Sequence, residues 1–129
     1  MSPEVAAALF DSLGEVDWFV VDRATFTGLR IKQLERPVAK LLKQHYRGTV
    51  YTKKHTATWV VAGRDSELFA AALVPHLQEK KSLIELYLLY RDRIINADGR
   101  GRASTLDEIS LAMRKEIEYE FAQLQGKEN

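Results

Sequence analysis

Side chains able to do chemistry are few and scattered in this sequence. His45, His55 and His76 stand apart, with no His-x-x-x-His pair and no acid at ligand spacing. They therefore do not predict a metal centre. The 129 residues contain no cysteine, which excludes a disulfide scaffold, cysteine zinc sites and thiol catalysis. Gly99-Arg100-Gly101-Arg102 could clamp a phosphate, but its glycines follow no strand, so a flexible basic loop is the simpler reading. What remains is a pattern: Leu29-Arg30-Ile31-Lys32 alternates apolar with basic. On a strand, that alternation sends Leu29 and Ile31 to a buried face and Arg30 and Lys32 to an open one. By itself, such a charged alternating face is most simply the solvated side of an antiparallel sheet.

Composition sets the limits on that pattern. With 19 basic against 18 acidic residues and a formal charge of +1, nucleic-acid binding has to come from placement of charge rather than excess. The length, at 46% apolar, suits one domain with a real core. No apolar run approaches the roughly 20 residues of a membrane span. Met1-Ser2-Pro3-Glu4 lacks a basic leader. The expectation is a soluble intracellular domain, cytoplasmic or nucleoid-associated.

The elements that must position these residues follow from capping and periodicity. Ser2-Pro3-Glu4 opens a helix over Val5–Leu13 that carries three consecutive alanines and stops at Gly14. Val16–Asp22 and a segment around Leu29–Lys32 read as strands, the first of them apolar on both faces through Trp18, Phe19, Val20 and Val21. Pro37 opens a second helix with Val38, Leu41 and Leu42 on one stripe, ending at Gly48. A hairpin follows, Thr49–Thr52 and Thr56–Ala62, with Lys53-Lys54-His55 at its tip. Asp65 or Ser66 caps a third helix that Pro75 ends. Lys80–Ile95 reads as a long helix, in which Tyr87 and Tyr90 are core residues with polar tips. Thr105 and Glu108 form a capping box ahead of a last helix, whose stripe is Leu106, Ile109, Met113, Ile117, Phe121 and Leu124. This order predicts an α+β domain, an antiparallel four-stranded sheet covered by helices on one face.

Helix, hairpin, helix, hairpin, helix is also the layout of a LAGLIDADG homing endonuclease subunit, and specific residues support the likeness. Ala6-Ala7-Ala8-Leu9-Phe10-Asp11-Ser12-Leu13-Gly14 lies on the nine-residue signature without a gap. Leu29-Arg30-Ile31-Lys32-Gln33 resembles that family's second strand and the glutamine after it. Gly48 through Trp59 is similar to its third and fourth strands, and Pro75 through Lys81 to its "P-x-L-x-x-K" passage. The likeness covers roughly residues 4 to 95. It implies a DNA-binding domain over 1–95, a loop over 96–104, and a C-terminal helix over 105–129 packing on the same domain.

The resemblance implies more. Two signature helices would pack side by side at a two-fold axis, through Ala7, Ala8, Asp11 and Ser12, in a homodimer on near-palindromic double-stranded DNA. Arg30, Lys32, Tyr51, Lys53 and Thr58 match DNA-facing positions, with Lys54 at the hairpin tip. Gln33 and Lys80 match residues that organise water and stabilise charge near the phosphates. The family draws its magnesium ligand from an acid at the eighth signature position, and magnesium takes hard oxygen ligands. Here that position is Leu13, which cannot coordinate a cation. Three readings follow. Glu15 or Asp17 replaces the lost ligand, giving a magnesium-dependent endonuclease that makes double-strand breaks or nicks. The chain pairs with an acid-bearing partner subunit of the same kind. Or it is a non-cleaving, regulatory DNA-binding protein, the reading favoured. A protein–protein interaction module that uses the apolar first strand is the alternative from a different class.

Overall fold

The computed structural model describes residues 1–98 and 108–126. The expected basic loop Gly99–Arg102, the Thr105 cap and Leu106 lie outside the described residues. The chain forms α1 (Pro3–Leu13), β1 (Gly14–Val21), β2 (Ala24–Leu34), α2 (Arg36–Tyr46), β3 (Thr49–Thr52), β4 (Ala57–Ala62), α3 (Gly63–Leu73), α4 (Lys81–Tyr90) and α5 (Glu108–Leu124). The four strands make one antiparallel sheet in the order β1-β2-β4-β3. The fold is α+β, with helices on one face of the sheet.

α1 starts where the sequence places it. Ser2 Oγ accepts from Val5 N at 3.3 Å, Pro3 occupies the first turn and Glu4 sits at the positive end. It ends because the chain turns hard against Phe10. A Cβ on Gly14 would lie 2.3 Å from the Phe10 ring, so only glycine lets β1 leave at that angle.

The register divides the sheet into two faces. Val16 and Trp18 of β1, Leu29 and Ile31 of β2, and Ala57, Trp59 and Val61 of β4 are buried under the helices. Ala6, Ala7 and Phe10 of α1 meet them there, with Leu42, Phe69, Leu73, Ile84 and Tyr87. Rings interlock edge to face, Trp59 on Phe69 at 4.7 Å and Tyr46 on Phe69 at 4.9 Å. Each such side chain contributes about 1.5–3 kcal/mol of burial.

β1, apolar on both faces in sequence, is explained by α5. Trp18 faces inward and packs on Phe121 and Tyr90, and its Nε1 donates to Arg114 O at 3.1 Å. Phe19 and Val21 take the open face, where Phe19 lies opposite Phe26. α5 also shields the strand's free edge. Gln125 Oε1 accepts from Val16 N at 2.7 Å while its Nε2 donates to Val16 O at 2.9 Å. Glu118 Oε1 accepts from Val20 N at 3.3 Å. An unprotected edge would invite pairing with another chain.

Several expectations need correction. The buried stripe of α5 is Leu111, Arg114, Ile117 and Phe121; Ile109, at 77% exposed, Met113 and Leu124 face outward. An apolar stripe could not include Arg114, which is buried because NH1 donates to Thr25 Oγ1 and NH2 to Ile94 O. The helix expected to run to Ile95 is α-helical only to Tyr90. It then widens into a π turn over Arg91–Ile95, where Arg91 is buried and bonds Glu67 and Thr27. α3 starts at Gly63, and Ser66 donates to Gly63 O and meets Tyr87 OH instead of capping the helix. In α2, Ala39 and Leu42 are buried and Leu41 is exposed.

Candidate nucleic-acid interface

The open sheet face carries the residues expected to meet DNA. Arg30 pairs with Val60 and Tyr51 with Thr58 in register, so Arg30, Tyr51 and Thr58 share that face, and alternation adds Lys32. Among the described residues no helix packs over it. Lys53 and Lys54 are exposed at the hairpin tip, which Lys53 N closes onto Thr56 O at 2.8 Å. Arg36 also holds the tip, its NH2 donating to Lys53 O at 2.6 Å and Lys54 O at 3.2 Å. Nothing in its sequence context signals that role.

Acids share this face with the basic residues and pair with them, which the sequence reading missed. Asp17 Oδ2 accepts from Arg30 Nε at 2.8 Å, and Glu15 pairs with Lys32. Both contacts run diagonally between β1 and β2, within reach of long side chains. The signal that could have found them is the alternation along β1, which places Glu15 and Asp17 on the open side.

At the C-terminal end of α1, a pocket of about 670 Å³ brings together Leu13, Glu15, Lys32, Gln33, Glu79 and Lys80. Leu124 and Gln125 close one side of it. Gln33 sits at the irregularity of β2 between Ile31 and Leu34 and holds a left-handed backbone, φ 60°. A bulge re-aims a side chain at the cost of local strain. Lys80 Nζ donates to Gly14 O at 2.6 Å and lies 5.8 Å over the Phe10 ring. Burial lowers its pKa below the ordinary lysine value, against the opposing pull of Asp11, Glu15 and Glu79.

α1 presents less of an outer face than its alanines suggest. Ala7 is expected at a partner helix, but its side chain is enclosed in the chain's own core beside Ala6 and Phe10. Ala8 and Ser12 are exposed, with Glu4 and Val5. Asp11 is half-buried, and its two oxygens accept from Gln78 N and Lys80 N, both at 2.9 Å. It fixes the turn that delivers Lys80 to the pocket.

The donor set does not fit a magnesium ion. Leu13 brings no oxygen, the Glu15 carboxylate is engaged by Lys32, and the Lys80 ammonium already occupies the carbonyl at the helix end. Among the described residues no three His, Cys, Asp or Glu side chains gather at metal-binding spacing.

No protein-family model matches the sequence, and no curated protein does. Solved structures do. The homing endonuclease I-CvuI in complex with its target, in the presence of Ca, matches at TM-score 0.75 and 16% identity over 95% of this chain and 80% of that one. The LAGLIDADG meganuclease I-AabMI bound to uncleaved DNA matches at TM-score 0.72 and 14% identity, over 92% of this chain and 44% of that one. The homing endonuclease I-TnaI matches at TM-score 0.66 and 17% identity, over 94% and 88%. The chain therefore has the LAGLIDADG homing endonuclease fold. Among the described residues no helix is long and apolar enough to cross a membrane.

Proposed function

We propose that this chain is a sequence-specific double-stranded DNA-binding protein that holds its target without cutting it. The observation that carries this reading is Leu13 in the lining of a pocket that otherwise keeps Glu15, Gln33 and Lys80 together. A leucine there removes the oxygen that would bind a metal, while Lys80 and Lys32 keep positive charge where a phosphate would lie. The open face supports major-groove reading, with Arg30, Lys32, Tyr51 and Thr58 for polar contacts and exposed Phe19 and Phe26 for the apolar surface of thymine methyls. The I-CvuI and I-AabMI structures contain DNA, which favours DNA as the partner here and an intracellular place of work, in the cytoplasm or on the nucleoid. Ala8 and Ser12 on the exposed side of α1 suit a two-fold homodimer, so each chain would read one half-site.

The second reading, a magnesium-dependent endonuclease, is favoured by one observation: Glu15, Gln33 and Lys80 line a single pocket. In that case Glu15 leaves Lys32 to take a metal, or a partner subunit brings the missing acid. Incubation of the full chain with a randomised duplex library, with and without magnesium, separates these readings. Bound, intact duplexes with binding that weakens steeply as salt rises are the expected result. Cut duplexes in magnesium would establish the enzyme. Recovery of neither would point to a protein-binding module.

A further inference from the structure

We propose that Asp17 is a positioning residue that aims Arg30 at a guanine in the major groove, making one base pair of each half-site the principal point of sequence reading. This rests on the DNA-binding reading above. The starting observation is an acid in an unfavourable place. A surface that meets a polyanion gains nothing from a carboxylate, yet Asp17 lies on the DNA-facing side and is only 6% exposed. An enclosed carboxylate has to be paired, and it accepts from Arg30 Nε at 2.8 Å.

The choice of nitrogen matters. A guanidinium is a rigid planar fork with five N–H donors. Fixing Nε fixes the plane and leaves the two terminal nitrogens for other partners. Among the described residues those terminal nitrogens make no hydrogen bond. The Arg30 side chain is 37% exposed against 9% for Asp17, so the acid is the enclosed partner and the arginine keeps accessible surface on the open face. Two parallel donors at that end match the N7 and O6 acceptors of guanine.

Position supports the same role. β2 lies inside the sheet, between β1 and β4, so Arg30 stands near the centre of the face, where it would reach the floor of a groove. Pairing with Asp17 also offsets part of its positive field, which favours a directional base contact over a phosphate contact. Lys32, paired with Glu15, is a point charge on a flexible stem, so a carboxylate beside it cannot fix a donor plane as it does for a guanidinium.

The test uses the full chain and duplexes recovered from the randomised library. The wild type is expected to select a guanine at one position per half-site and to prefer it about tenfold or more over other bases. Replacing that guanine with 7-deazaguanine, which lacks the N7 acceptor, should weaken wild-type binding several-fold. Asp17→Ala should lose the guanine preference and the 7-deazaguanine effect, while binding random duplex at least as tightly, because a negative charge has gone. A misfolded variant would lose both kinds of binding, so the pattern separates aiming from stability. Arg30→Lys, a charge-conserving change at a half-buried side chain, should keep the salt dependence and reduce the preference several-fold, because the rigid fork is gone. A selected site without a fixed guanine, or either variant keeping the full wild-type preference, overturns the proposal and leaves DNA binding standing. Failure of the wild type to recover any duplex overturns both together.

Discussion

At the scale of single residues, two side chains in the pocket decide most. Leu13 withholds an oxygen, and Leu13→Asp restores one beside Gln33 and Lys80. Cleavage of the selected duplex in magnesium is the expected gain if that ligand alone is missing; a gel showing only intact duplex would mean that the Lys80 and Lys32 positions also bar the ion. Gln33 is held at φ 60°, a conformation that costs a residue with a Cβ about 1–2 kcal/mol. Gln33→Gly should therefore raise the urea midpoint, by about 1 kcal/mol of stability, while weakening DNA binding. A lower midpoint would show that the glutamine side chain stabilises the bulge. That Leu13, Gln33 and Lys80 line one pocket was legible only through the resemblance to family motifs, since nothing in their own spacing brings them together. The backbone strain at Gln33 was not, because a bulge follows from how β2 pairs with β4. The Asp17–Arg30 and Glu15–Lys32 pairs were half legible: alternation puts all four on one face, but which acid meets which base depends on register.

At the scale of elements, α4 and its π turn lean on a polar cluster inside the domain. Burial alone would raise the Glu67 carboxyl, but hydrogen bonds from Asn96 and Arg91 hold it below its ordinary value of 4.5. A carboxyl depressed on folding stabilises the native state above the unfolded pKa and loses that contribution as pH falls through the folded one. Denaturant midpoints should thus decline below about pH 4.5, and Glu67→Gln should flatten that decline while costing stability at neutral pH. An unchanged acid slope would assign the loss to other carboxylates. The second element-scale prediction concerns the edge of β1. Gln125→Ala removes both bonds to Val16, so hydrogen exchange at Val16 should quicken with little change at Leu29 on the next strand. Equal quickening at both would mean that α5 and the sheet open as one unit. The helices and strands themselves were largely legible from caps, prolines and alternation. The face of α5 was not, since its inward residues include Arg114, and hydrophobic periodicity cannot recognise a cation buried by hydroxyl and carbonyl partners.

At the scale of the whole molecule, the proposed two-fold assembly depends on the narrow exposed strip of α1. Ala8→Glu would set like charges against each other across the axis, so sedimentation should shift from twice the 14.7 kDa chain mass to the single chain. A wild type that already sediments as one chain would remove the symmetric half-site arrangement. The architecture was readable because order and spacing of elements survive where individual residues do not: the I-CvuI match reaches TM-score 0.75 on 16% identity. The molecule also carries two built-in optical gauges. Its two tryptophans are enclosed at different seams: Trp18 lies against Phe121 of the last helix, and Trp59 donates to Arg47 O beside α2. Fluorescence from single-tryptophan versions therefore distinguishes peeling of the C-terminal helix from collapse of the central body, without any attached dye.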